Sequence, residues 1–170
     1  MKYKSLLLLS LIILIAALPS VAQQNSDITT FVLVRHAEKV DDSADPDLSP
    51  EGYQRAERLA DMLQNIPFDA VYSSDRIRTR ETVRKIADQN SADILLYEPH
   101  ETEEEVERLL NSNPGKTVLV SGHSNTTPFF ANELLEREHF EDKFDESDYG
   151  NLLIITIDSN GESKLLHLRY

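Results

Sequence analysis

The chain alternates runs of β-forming residues with amphipathic segments, and this alternation restricts the folds open to it. Strands are predicted at about 30–35, 68–74, 93–97 and 117–121. Apolar residues recur at helical spacing in the intervals between them. Because strand–helix–strand units place their strands parallel in one sheet, this order predicts an α/β fold. We expect a three-layer sandwich with a mostly parallel central sheet and helices on both faces.

Four helices are predicted, and three of them begin with recognisable N-terminal residues. Ser49 is expected to cap the first helix, with Pro50 at its first position. Ser74 or Asp75 is expected to begin the second, and Thr102 to open a capping box for the third. The fourth is predicted over 128–137.

The C-terminal part of the chain predicts a β-hairpin. Two strands are expected at 151–158 and 164–168, joined around Ser159, Asn160 and Gly161. Asn-Gly is a strong signal for a tight turn between strands. This hairpin is antiparallel and adds at least one antiparallel strand to the sheet.

The N-terminus has the three-part pattern of a secretory signal peptide. Lys2 and Lys4 precede the apolar run 6–18, and small residues precede Gln23. That run is shorter than the roughly 20 residues that a membrane span needs. We therefore predict a signal peptide at 1–22 and a single domain at 23–170. The expected location is a bacterial periplasm or the medium, with no membrane attachment after cleavage.

Charge and cysteine content exclude several classes of function. The chain of 170 residues carries a net charge of −13 and contains no cysteine. A nucleic-acid-binding protein needs a basic face, so we expect no nucleic-acid partner. The absence of cysteine excludes disulfides and thiolate chemistry.

Basic residues follow three of the predicted parallel strands. Arg35 and His36 end the first strand, and His123 follows the fourth. Arg78 lies in the predicted first turn of the second helix, where a cation opposes the helix dipole. The carboxyl ends of parallel strands meet at one edge, so these side chains can converge. Two arginines and two histidines suit a phosphate monoester.

Four segments resemble the histidine phosphatase superfamily, the phosphoglycerate-mutase-like proteins. They are similar to its Arg-His signature, to the segment after it, to its Ser-Ser and Arg segment, and to its second-histidine segment. In chain order they are 34–39, 47–56, 72–82 and 120–126. Together they span most of the predicted domain. Ala37 stands where the signature has glycine, which leaves the nucleophile in place.

The resemblance implies a role for each matching residue. His36 would be the nucleophile that accepts the phosphoryl group, while Arg35, Arg78 and His123 would hold the phosphate oxygens. Glu98 is the best positional match for the acid that protonates the leaving group, with Glu101 as an alternative. No metal and no other cofactor is implied. The activity implied is that of a phosphatase acting on a small phosphorylated substrate or a phosphoprotein.

Two other functions remain open from the sequence. The same fold could bind phosphate without cleaving it. Alternatively, Gly122-His123-Ser124 lies between a strand and a helix as in serine hydrolases, and Asp158 and His167 could complete a triad with Ser124. The sequence does not give the oligomeric state.

Overall fold

The computed structural model describes residues 28–170, which form six strands and four helices. The predicted signal peptide at 1–22 lies outside the described residues. The strands are β1 (Thr29–Arg35), β2 (Ala70–Ser73), β3 (Ile94–Leu96), β4 (Thr117–Gly122), β5 (Asn151–Ile157) and β6 (Ser163–Arg169). The helices are α1 (Pro50–Leu63), α2 (Ile77–Gln89), α3 (Thr102–Ser112) and α4 (Thr127–Leu135).

All six strands belong to one sheet, in the order β3-β2-β4-β1-β5-β6. The first four in this order are parallel to one another. β5 runs antiparallel to β1, and β6 antiparallel to β5. The mostly parallel sheet and the C-terminal antiparallel hairpin are both confirmed. Gly161 lies in the turn of that hairpin with φ +84°, a conformation that glycine adopts without strain.

Both faces of the sheet are covered, as the three-layer prediction requires. Successive side chains of a strand point to opposite faces. Val32 and Val34 accordingly pack with residues of α1 and α2. Phe31 and Leu33 pack on the other face with residues of α3 and α4. Because β1 is buried on both sides, its sequence is a continuous apolar run.

Helix α1 begins as predicted, but α2 and α3 do not. The Ser49 side chain caps α1 by accepting from the Gly52 N–H at 3.1 Å. α2 begins at Ile77, so the prediction of Ser74 or Asp75 as its cap is wrong. Its first N–H instead donates to Asp45 at 2.9 Å, a carboxylate supplied by a distant loop. The position before α3 is Glu101, without a side-chain capping bond, so Thr102 does not form the predicted capping box.

None of the described helices combines the length and the apolar character that crossing a membrane requires.

Candidate active site

Four neighbouring strands end at one edge of the sheet, and the residues after them line a cleft of about 460 Å³. His36 follows β1, Ser74 follows β2, Glu98 lies two residues after β3, and His123 follows β4. Backbone bonds continue the sheet at this edge, because the His36 N–H donates to the Gly122 carbonyl at 2.9 Å. Arg35, His36, Arg78, Glu98 and His123 all line the cleft. The predicted convergence of Arg35, His36, Arg78 and His123 is therefore observed, and Glu98 lines the same cleft.

His36 is held in one tautomer by its own neighbour. Its Nδ1 lies 2.7 Å from the Ala37 carbonyl oxygen. A carbonyl oxygen can only accept, so Nδ1 carries the hydrogen and Nε2 keeps its lone pair in the neutral ring. Burial, reinforced by the charges of Arg35 and Arg78 and opposed by the Ala37 bond, lowers the pKa of His36 to about 4. The imidazole is therefore neutral at physiological pH.

The loop that carries His36 is fixed by α2. The Ala37 N–H donates to the Thr82 hydroxyl at 2.9 Å, and that hydroxyl donates to the Arg78 carbonyl at 2.7 Å. Thr82 is buried. It therefore couples the first turn of α2, which carries Arg78, to the segment that carries His36.

His123 faces His36 across the cleft, with their ring centroids 5.4 Å apart. Its Nε2 lies 2.9 Å from the Ser74 hydroxyl, which fixes the ring orientation. Burial lowers the pKa of His123 to about 3. Positive charge on His36, when that ring is protonated, and on Arg78 acts in the same direction. Both histidines are consequently neutral near pH 7.

Two arginines bring buried donors to the cleft. Arg35 is only 1% exposed. Within residues 28–170, Arg35 Nε and the Nε and Nη1 atoms of Arg78 are buried without a hydrogen-bond partner. Arg78 Nη1 has an ion-pair contact with Asp45 Oδ1 at 3.6 Å. Leaving buried donors unpaired is costly, so this arrangement suits an incoming anion.

Burial also changes the pKa of Arg78. It lowers the pKa of this guanidinium, with the attraction of Asp45 acting in the opposite direction. An anion placed between Arg78 and Arg35 would be favourable for both side chains.

The two carboxylates considered as acids are placed differently. Glu98 lines the cleft, whereas Glu101 precedes α3 and is not among the cleft-lining residues. The Glu98 side chain is exposed, and its Oε1 accepts a long bond of 3.3 Å from the His100 N–H. The geometry therefore favours Glu98 over Glu101 as the group beside a bound substrate.

The residues of the alternative serine triad do not come together. Ser124 donates its hydroxyl hydrogen to Glu146 at 2.9 Å. His167, on the edge strand β6, pairs instead with Asn151 at 2.8 Å. Neither His167 nor Asp158 lines the cleft. This arrangement does not support a serine hydrolase.

Comparison with protein families agrees with the geometry. Residues 31–104 match the model of the histidine phosphatase superfamily (branch 1). The matched segment contains Arg35, His36, Arg78 and Glu98, and His123 follows it. This part of the chain is therefore similar to the histidine phosphatase superfamily.

Solved structures with the same fold include several phosphatases. A phosphoserine phosphatase from Entamoeba histolytica, in complex with 3-phosphoglyceric acid, is 21% identical with a TM-score of 0.64, covering 84% of this chain and 97% of its own. A mycobacterial glucosyl-3-phosphoglycerate phosphatase is 12% identical with a TM-score of 0.67, covering 81% and 97%. The protein histidine phosphatase SixA, complexed with tungstate, is 18% identical with a TM-score of 0.65, covering 82% and 96%. No curated protein matches the chain significantly.

Sequence reasoning missed several residues that shape the site. Ser74 and Thr82 lie in a segment recognised by resemblance, but their contacts with His123 and Ala37 had no separate signal. Asp45 lies in a charged loop that carries no recognisable motif. Glu146 lies in an acidic connection, and only the structure brings it to Arg35 at 2.9 Å.

Proposed function

We propose that the protein is a phosphomonoester hydrolase that works through a phosphohistidine on His36, without a metal ion. One observation carries the proposal. A neutral His36, with an available Nε2 lone pair, lines the same cleft as buried guanidinium donors of Arg35 and Arg78 that have no hydrogen-bond partner among the described residues. A nucleophile beside an anion-binding group is the requirement for phosphoryl transfer.

In the first step, the His36 Nε2 lone pair forms a bond to phosphorus while the ester P–O bond breaks. The electron pair of that bond leaves with the alkoxide oxygen, which takes a proton from the Glu98 carboxyl group. In the second step, the Glu98 carboxylate takes a proton from water, and the resulting hydroxide oxygen bonds to phosphorus. The P–N bond breaks, which restores neutral His36 and releases phosphate.

Charge compensation in this mechanism comes from side chains. Arg35 and Arg78 supply donors for the phosphate oxygens, and His123 completes the set on the opposite wall. Within the described part of the chain, no group of three or more histidine or acidic side chains is placed to hold a metal ion. Fixed cationic donors that stabilise charge on the transferring group are a major contribution to catalysis of this type.

The substrate and location are part of the same proposal. Related structures carry names that refer to phosphoserine, glucosyl-3-phosphoglycerate and protein histidine phosphates. We infer a small phosphorylated compound or a phosphoprotein as substrate here, reached after export to the periplasm or the medium. We also propose that the protein has neither a nucleic-acid partner nor a membrane attachment after cleavage of the signal peptide.

One observation favours a second function, a phosphate-binding module with weak catalysis. Among residues 28–170, the exposed Glu98 side chain has one hydrogen bond, a long one of 3.3 Å from the His100 N–H. An acid that is not fixed near the leaving group contributes less to the rate. Binding of phosphate without turnover would follow from the same Arg35, Arg78 and His123.

Hydrolysis of p-nitrophenyl phosphate with and without EDTA separates these functions. Wild-type protein is compared with His36→Ala and with His139→Ala, a matched control because His139 is exposed and does not line the cleft. We expect turnover that survives EDTA, disappears in His36→Ala and persists in His139→Ala. Loss of turnover in EDTA, or activity in His36→Ala, would contradict the proposal. Phosphate binding without turnover would favour the binding module.

A further inference from the structure

Arg35 is enclosed by the loop formed by residues 143–149. Arg35 Nη1 donates to the carbonyl oxygens of Asp145 and Asp148 at 2.9 and 3.0 Å. Arg35 Nη2 donates to Glu146 Oε2 at 2.9 Å. The Tyr149 ring centroid lies 4.1 Å from the guanidinium carbon. Two backbone oxygens and an aromatic ring therefore contact Arg35 together with the Glu146 carboxylate.

The Glu146 carboxylate lies in the cleft together with Arg35. Its Oε1 accepts from the Ser124 hydroxyl at 2.9 Å and from Lys143 at 3.1 Å. Its side chain is 62% exposed, and Glu146 is one of the residues that line the cleft. The hydrogen bond from Ser124 and the charges of Lys143 and Arg35 outweigh desolvation and lower the pKa of Glu146. The group is therefore an anion near neutral pH.

A phosphate bound in this cleft would share Arg35 with Glu146. Arg35 Nε has no hydrogen-bond partner in the part of the chain that the structure describes, whereas Nη2 already donates to the carboxylate. Two anions bound to one guanidinium repel each other, and this repulsion is only partly screened at a partly buried site. The charge of Glu146 therefore opposes phosphate binding, while its oxygens still order Arg35 and Ser124.

We propose that Glu146 is a positioning residue that orders Arg35 and Ser124 and whose negative charge weakens phosphate binding, so that product leaves the site. This inference rests on the proposed function, because it assumes that phosphate binds at Arg35 and Arg78. It makes Glu146 a determinant of phosphate affinity in this chain.

Calorimetric titration with inorganic phosphate at neutral pH tests the charge. Glu146→Gln keeps an oxygen acceptor for Arg35 and Ser124 but removes the charge. Glu141→Gln removes the same charge from an exposed position outside the cleft. We expect Glu146→Gln to bind phosphate about three- to tenfold more tightly than wild type. Glu141→Gln should stay within about twofold of wild type.

Kinetics with p-nitrophenyl phosphate test the positioning role. The inhibition constant for phosphate should fall in Glu146→Gln by the same factor as in the titration. Glu146→Ala, which removes the acceptor as well, should lower kcat about tenfold, whereas Glu146→Gln should retain kcat within about threefold. Equal kcat values in the two variants would overturn the positioning role.

The titration does not depend on turnover, so failure of this inference is distinguishable from failure of the proposed function. Unchanged or weaker phosphate binding by folded Glu146→Gln, with wild type binding phosphate, would overturn the inference alone. If wild type does not bind phosphate, both the inference and the proposed function are overturned.

Discussion

At the residue scale, His36 combines burial, which lowers its pKa, with a hydrogen bond that fixes the position of its Nδ1 hydrogen. Its pKa is lowered to about 4, chiefly by burial. The unfolded chain, with an ordinary value near 6.5, binds a proton at higher pH than the folded chain. As the pH falls from about 6.5 towards 4, this difference lowers the free energy of unfolding. The benefit is a nucleophile that stays neutral throughout that range.

The pH dependence of kcat/KM follows from this protonation state. Protonating His36 removes the lone pair that attacks phosphorus, so activity should fall on the acid side with a midpoint near pH 4. The profile is measured with p-nitrophenyl phosphate, corrected for ionisation of the substrate, and near-ultraviolet circular dichroism checks that the protein stays folded. An acid limb centred near 6.5 would show that His36 is not shielded in this way.

Arg78 is expected to favour activity at the expense of stability. Its buried Nε and Nη1 lack hydrogen-bond partners among the described residues, and it lies in the first turn of α2. Arg78→Met should therefore raise the midpoint of thermal unfolding, while kcat/KM falls about 10²- to 10³-fold. Arg80→Gln is the matched control, because Arg80 pairs with the exposed Asp75 and does not line the cleft. An Arg78→Met protein that unfolds at a lower temperature than wild type and keeps wild-type kcat/KM would refute this trade-off.

At the scale of elements, the strand ends were largely predictable and the contacts between distant segments were not. Apolar runs predicted the strands within a few residues, because buried parallel strands leave a strong sequence signal. The cap of α2 was not predictable, since Asp45 lies 32 residues from Ile77. Glu146 likewise lies 111 residues from Arg35. Such pairings arise from the folded topology and have no local pattern.

The first turn of α1 offers a stability test of this packing. A Cβ on Gly52 would lie 2.1 Å from the Glu38 carbonyl oxygen, which is backbone and cannot simply rotate away. Helix propensity alone favours Gly52→Ala by roughly 0.5–1 kcal/mol. We expect the clash to prevail and to destabilise the protein by about 1–3 kcal/mol in chemical unfolding.

Gln54→Ala provides the control for that measurement. Gln54 is exposed on the same helix, so its replacement should change the free energy of unfolding by less than about 0.5 kcal/mol. A stabilised Gly52→Ala protein would mean that α1 does not approach the Glu38 backbone as closely as the structure indicates. Because Glu38 is near His36, Gly52→Ala should also reduce activity.

At the scale of the whole molecule, an acidic chain concentrates cations at one place. The net charge is −13, yet the cleft is lined by Arg35, Lys39, Arg76, Arg78 and Lys143. Asp75, Glu98 and Glu146 are the acidic residues of that lining. The strand ends predicted the convergence of four site residues, and the resemblance predicted a role for each of them. It did not predict Glu146, which adds a negative charge beside Arg35.

The most direct measurement is to trap the phosphorylated enzyme. Protein mixed with p-nitrophenyl phosphate is quenched in alkali, where phosphohistidine survives, and analysed by peptide mass spectrometry. We predict one phosphoryl group on the peptide that contains His36, absent in His36→Ala and present in His139→Ala. Turnover by wild type without phosphate on His36, or phosphate on another residue, would contradict the account.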